Sequence, residues 1–172
     1  MFWLKYLKGL FSTLNADTSP NEIAAGVMLG AFLGLMPKFN LCAFVLWVIV
    51  FMFRVNFGMA TASVLLFSIL GSITDPWAEK MGFTLLTGVP ALHGLWTTLY
   101  NTPIIPFSAF NNTLVMGNLA LAMLLAIPVF LAARRFVVAY RLHLRDRIMQ
   151  WRIMQAFKAS AIFDLYQRWM SR

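Results

Sequence analysis

The chain carries one cysteine, two histidines and six acidic residues among its 172 residues. The lone Cys42 sits in an apolar run, which excludes a disulfide framework and a thiolate metal cluster. His93 and His143 stand 50 residues apart in different segments, and six carboxylates are too few to complete a metal site around either. No phosphate-cradling glycine loop is present, and no Ser, Thr or Cys stands in a pattern with a His and an Asp. No catalytic residue, metal ligand or cofactor is therefore expected, and an enzyme is not. Charge of either sign is scarce. Twelve per cent of residues are charged and 60% hydrophobic, against about 25% and 45–50% in soluble domains. This is the composition of an integral membrane protein, and the length suits one membrane domain.

The charge that exists is unevenly placed. Residues 1–133 hold five Lys/Arg and four Asp/Glu, a net of +1, whereas residues 134–172 hold nine Lys/Arg and two Asp, a net of +7. A basic segment directly after an apolar helix belongs in the cytoplasm by the positive-inside bias. Lipid phosphates are adjacent to such a tail, so a phospholipid membrane is the expected partner, and nucleic acid is not.

Residues 1–14 read as an interfacial amphipathic helix. Trp3, Leu7, Leu10 and Leu14 fall on one face and Lys5, Lys8 and Ser12 on the other. A secretory signal peptide is disfavoured because the apolar run is interrupted and no small-residue cleavage site follows. The two lysines argue for a cytoplasmic N-terminus.

From Ser19 to Arg54 the pattern is more specific. Ser19-Pro20-Asn21-Glu22 is a helix-start signature, with Ser19 as cap, Pro20 at the first helical position and Glu22 placed to close a capping box. Fourteen uncharged residues, Ile23 to Met36, precede Pro37-Lys38-Phe39-Asn40, and thirteen more, Leu41 to Phe53, lead to Arg54. A single helix through the stretch would be about 50 Å long against a hydrocarbon core of about 30 Å. Each half falls short of the roughly 20 residues of a comfortable span. The stretch predicts a helical hairpin bent at 37–40, with Asn40 capping the second arm. Two depths are open. In a re-entrant hairpin Lys38 is a charge within the membrane and a functional candidate; in a pair of short spans it merely snorkels to the far interface. Gly26, Gly30 and Gly34 form a stripe that lets backbones approach closely. The bulky returning arm 41–53 is its expected partner.

Phe57 to Thr74 is an apolar segment of 18 residues, long enough to span and rich in small residues. Asp75 is then expected to cap a new helix opened by Pro76. Residues 76–112 are broken by Gly82, Gly88, Pro90, Gly94, Pro103 and Pro106. The stretch Tyr100 to Thr113 resembles the first tip in its proline, aromatic and asparagine content, which suggests either a pseudo-repeat inverted across the bilayer or an ordinary periplasmic loop with interfacial turns. Thr113 to Ala133 is a clear span of 21 residues, stopped by Arg134-Arg135. Beyond it, Val137, Tyr140, Leu144, Ile148 and Trp151 share one helical face and Arg134, Arg141, Arg145 and Arg152 another.

The expected fold is all-α: a polytopic membrane protein built on helical hairpins, with amphipathic helices at both ends. Its parts are an interfacial helix (1–14), a membrane domain (15–133) and a basic amphipathic cytoplasmic tail (134–172). The membrane domain divides into a hairpin (20–53), a span (57–74), a broken periplasmic-side segment (76–112) and a second span (113–133). Lys38, Asn40, Arg54, Asn56, Asn101 and Asn111 are the candidate functional polar residues. Gly26, Gly30 and Gly34 are the packing residues, and Arg134, Arg141, Arg145 and Arg152 the membrane-surface or partner contacts.

The combination Ser19-Pro20-Asn21-Glu22, Gly26, Gly30, Gly34, Pro37-Lys38-Phe39-Asn40, Arg54-Val55-Asn56 and Tyr100-Asn101-Thr102-Pro103 resembles an uncharacterised family of small bacterial inner-membrane proteins. That family lies within a wider group sharing a domain of unknown function, and the resemblance covers residues 15–135. It implies an inner-membrane, cell-envelope setting and a larger envelope protein as partner. Relatives in the wider group are fused to glycosyltransferases. It supplies no activity. Two functional expectations follow. One is a membrane-embedded subunit of a lipid- or amphiphile-handling or transport assembly. The other is a structural anchor or assembly factor for a larger envelope protein. A homo-oligomer is compatible with either.

Overall fold

The computed structural model describes residues 18–144, and every described element is helical. Residues 1–17, which include the helix expected at 1–14, and the tail beyond Leu144, including Arg145 and Arg152, lie outside the described residues. The chain forms α1 (Pro20–Leu35), α2 (Leu41–Met52), α3 (Phe57–Thr87), α4 (His93–Asn101) and α5 (Thr113–Ala139). Short 3-10 turns cover Pro90–Leu92 and Ile105–Ser108, and a π-helical turn, Tyr140–Leu144, follows α5.

Local chemistry sets the helix starts. Ser19 Oγ accepts the Asn21 N–H at 3.2 Å, with Pro20 opening α1. Three asparagines start the other long elements. Asn40 Oδ1 accepts from Ala43 at 2.7 Å, Asn56 Oδ1 from Met59 at 2.9 Å, and Asn112 Oδ1 from Leu114 and Val115 at 2.9 and 3.2 Å. Each cap satisfies a donor that a helix end would otherwise leave bare.

α1 and α2 make the expected hairpin. The chain reverses at Pro37–Asn40 and returns to its origin, where the Asn56 N–H donates to the Glu22 carbonyl at 3.1 Å. The arms are about 24 and 18 Å long. α3 then runs alongside α1 in the same direction. A Cβ on Gly26 would meet the Asn56 carbonyl at 2.6 Å, one on Gly30 the Ser63 Cβ at 2.6 Å, and one on Gly34 the Phe67 Cβ at 2.5 Å. The glycine stripe thus packs on α3, not on the returning arm. The reason is steric: α3 offers Asn56, Ala60 and Ser63 along that face, whereas Phe44 and Phe51 of α2 turn outward and stay exposed. α2 meets the pair through its narrower side, where Ala43 and Val50 join Leu33 and Ala60 in a small core. The buried Ser63 hydroxyl donates to the Val27 carbonyl at 2.7 Å and ties α3 to α1. Trp47, Phe51 and Phe57 stack in a three-ring cluster across the α2–α3 turn, with centroids 5.4–6.1 Å apart.

α5 runs antiparallel to α3. Gly82 and Gly117 allow the two backbones to touch at one end, where a Cβ on Gly82 would lie 2.7 Å from the Gly117 nitrogen. At the opposite end the Arg141 guanidinium donates to the Thr18 carbonyl at 2.8 Å, closing α5 onto the start of α1. α3 and α5, about 46 and 40 Å long, are both long and apolar enough to cross a membrane.

Two features differ from the sequence expectation. α3 does not stop at Thr74 but continues through Asp75 and Pro76 to Thr87. Proline removes only the bond to the Ser72 carbonyl, and α5 packs across the site through the Ala78–Gly117 contact, holding both halves in line. α5 runs on past Ala133 and carries Arg134 and Arg135 as helical residues, in keeping with the helix expected beyond the span. The second broken stretch forms the short α4 and a 3-10 turn, not a second two-armed hairpin. Pro103 and Pro106 lack the N–H groups to extend a helix, and Ile104 and Ala109 both take positive φ, 76° and 56°. That turn packs against α2, while Trp96 donates to the Leu85 carbonyl at 3.1 Å and lies against the buried Phe110.

Candidate functional site

The hairpin tip does not reach the ends of the long helices. Gly71 of α3 lies against Gly34 and Leu35, so the tip stands beside the interior of α3, with about 18 Å of helix still to follow after Asp75. α1 ends at Leu35, and its last carbonyls have no helical donor. Lys38 folds back to supply one. Its Nζ donates to the Gly34 carbonyl at 2.8 Å and the Met36 carbonyl at 2.9 Å. A cation at this place also complements the negative end of the helix dipole.

Asp75 and Asn118 complete the site. Asn118, the sixth residue of α5, is 0% exposed, and its Nδ2 donates to Asp75 Oδ1 at 3.0 Å across the α3–α5 crossing. Its Oδ1 is buried with no partner. Asp75 and Lys38 face the same cavity. Lys38, Ser68, Ser72, Asp75, Asn118 and Met36 border a cavity of about 170 Å³. Ser68 and Ser72 spend their protons on the Val64 and Ser68 carbonyls at 2.6 and 3.2 Å, so both present oxygen lone pairs. The cavity therefore holds one cation, one carboxylate and a surplus of acceptors within apolar helices.

A second, apolar groove of about 420 Å³ lies between α3 and α5 toward the arginine-bearing end. Val27, Met59, Leu66, Val129, Phe136 and Val137 line it.

Of the candidate polar residues singled out by sequence, Lys38 alone borders the polar cavity, together with Gly34 of the glycine stripe. Asn40 is next to it and holds the tip closed, with Nδ2 donating to the Pro37 carbonyl at 3.0 Å. Arg54 and Asn56 stand at the other end of the hairpin, Arg54 exposed and Asn56 spent on its cap. Asn101 and Asn111 are exposed, and Asn101 donates to Thr97 within α4. Arg134 is exposed and Arg141 is bound to Thr18. Sequence reading missed Asp75 and Asn118. Asp75 has a full local explanation as a cap, and Asn118 is one amide in a long apolar run. The available signal was that both interrupt otherwise spanning segments. Their pairing, 43 residues apart in sequence, has no local trace.

The described residues thus define an all-helical protein in which a short hairpin is folded against two helices long and apolar enough to cross a membrane. An uncharacterised protein of Treponema pallidum (strain Nichols) is 31% identical over 145 residues, covering 84% of this chain and 89% of that protein. The chain belongs to the uncharacterised family that this relative represents. No family model and no solved structure matches the chain.

Proposed function

We propose that this is a multi-pass protein of a bacterial inner membrane, with both termini in the cytoplasm. In this reading it serves as a membrane-embedded subunit of an envelope assembly that handles lipid or another amphiphile. The observation that carries the reading is the polar cavity around Lys38, Asp75 and Asn118, set within helices whose outer surfaces are apolar. Leu65, Leu66, Ile69 and Ile73 along α3 and Met123, Leu124 and Ile127 along α5 are exposed. A water-soluble domain rarely leaves so continuous an apolar surface bare, and only 17% of the apolar window of α3 is buried. Arg54, Arg134, Arg135 and Arg141 gather at the end where α1 begins and α5 finishes, which supports a cytoplasmic assignment of that end. With that end at one interface, the tip lies some 20 Å away, which supports a re-entrant hairpin. Charged backbone-bound groups at such depth persist where protein or a wet cavity covers them. A polar cavity beside apolar surface suits a molecule with a polar head and an apolar body.

The test is affinity purification of the full-length protein from native membranes, with lipid and protein composition of the product measured. A bound amphiphile together with a stoichiometric envelope protein is the expected result. Lys38→Ala and Asn40→Ala proteins that fold normally and retain full function in an envelope-integrity assay would remove the mechanism. The exposed Arg134 and Arg135 favour a second reading, an anchor or assembly factor acting through its basic end. It requires that deleting residues 140–172 abolish partner co-purification while membrane insertion persists.

A further inference from the structure

We propose that the Lys38–Asp75–Asn118 cavity receives the phosphoethanolamine headgroup of a zwitterionic phospholipid; this rests on the amphiphile-handling reading of the same site. Charge is the first argument. Lys38 and Asp75 leave the cavity formally neutral. A lone cation or a lone anion would bring net charge into apolar surroundings, which low dielectric penalises. A zwitterion adds none.

Hydrogen-bonding capacity is the second. Asn118 borders the cavity, and its buried Oδ1 has no partner. Asp75 accepts from Asn118 through one oxygen and retains further lone pairs. The Ser72 hydroxyl has given its proton to Ser68 and can only accept at its remaining lone pair. Pro76 also denies the Ser72 carbonyl its helical donor. These acceptors call for a group with several N–H donors, and a primary ammonium has three. Lys38 commits two of its three N–H donors to carbonyls, and the third is the natural partner of a phosphate oxygen.

Size is the third. At roughly 30 Å³ per water, a cavity of 170 Å³ holds a headgroup but not acyl chains. Lys38 and Ser72 are exposed, so the cavity opens to the outside, and the fully exposed Phe39, next to Lys38 in the chain, offers apolar surface for the chains. A trimethylated amine has no N–H and would leave the Asn118 oxygen unpaired. A glycerol headgroup would bring an uncompensated phosphate.

The test uses the purified full-length protein in detergent and three short-chain lipids with identical chains: phosphoethanolamine, phosphocholine and phosphoglycerol. Binding is measured by titration, with glycerophosphoethanolamine, which lacks chains, as a fourth probe. The phosphoethanolamine lipid should bind about tenfold or more tighter than the phosphocholine lipid, the discrimination expected when a buried acceptor is otherwise left unpaired. Asn118→Leu should erase that preference. Ser72→Ala, at an exposed position, should weaken only the phosphoethanolamine lipid, by about twofold to fivefold. Equal binding of all three lipids overturns the headgroup assignment and leaves amphiphile handling standing. Preference for phosphoglycerol overturns it in favour of an anion site governed by Lys38. Binding of the chainless probe as tightly as the lipid overturns the lipid source. Failure of all four to bind removes the headgroup assignment and the amphiphile reading together.

Discussion

Adding one methyl group to Gly30 tests where the glycine stripe docks. In the native fold a Cβ at this position would press on the Ala60 carbonyl and lie 2.6 Å from the Ser63 Cβ and 3.1 Å from the Ala60 carbonyl carbon. Two of these three atoms are backbone and cannot rotate away, so α1 and α3 must separate. Overpacking of this kind costs about 1–3 kcal/mol. Separation also stretches the 2.7 Å bond from Ser63 to the Val27 carbonyl, whose loss costs about 1 kcal/mol. Against this, alanine is favoured over glycine within a helix by about 1 kcal/mol. Gly30→Ala should therefore destabilise the protein by about 1–3 kcal/mol. At about 2–4 °C per kcal/mol for a chain of this size, the melting temperature in detergent should fall by roughly 2–12 °C. Gly94→Ala is the internal control. Nothing lies within 4 Å of a Cβ there, so the helix preference acts alone and the melting temperature should hold or rise. A Gly30→Ala protein as stable as the wild type would refute the α1–α3 packing, while equal loss at both positions would refute the contact-based reasoning.

Other perturbations have distinct signatures. Asp75→Leu alone leaves both polar ends of the buried Asn118 unpaired and should cost about 1–3 kcal/mol, whereas adding Asn118→Leu should recover much of the loss; a thermal-unfolding double-mutant cycle with no coupling would refute the pair. Asn40→Ala removes the α2 cap and the bond to Pro37, and should lower stability by about 1 kcal/mol while Asn40→Asp retains most of it, as measured by the same melts. Ile104 holds φ at 76°, an unfavourable region for a β-branched residue; Ile104→Gly should therefore raise stability by about 1 kcal/mol, and a lowered melting temperature would argue against the strained turn. In a Cys42→Ala background, Lys38→Cys should react with small charged thiol reagents more slowly than Arg54→Cys, because the tip lies along the interior of α3 and Arg54 at its start; equal rates in native vesicles would place the tip at an interface.

Much of the hairpin was readable from residues alone because its determinants are local. Ser19-Pro20, Pro37 and the asparagines at 40 and 56 act within four residues of themselves, through caps and missing donors, and each start lies where the pattern puts it. The broken stretch was less legible. Proline marks a break in any context, yet Pro76 sits within an unbroken helix and Pro103 within a turn. The difference lies in what packs alongside, since α5 braces α3 at Ala78 and Gly82 and nothing comparable extends α4.

The sequence by itself determined the all-helical class, the apolar character, the hairpin and the charge asymmetry, because these follow from composition, periodicity and short-range capping. It also marked Lys38 as an exceptional charge. Only the tertiary structure decided which helix receives the glycine stripe, that α3 runs through Pro76, and that Lys38, Asp75 and Asn118 meet around one cavity. Those outcomes depend on close contact between residues far apart in the chain. A single helix face shows what it can bury, and only the neighbouring face decides what it meets.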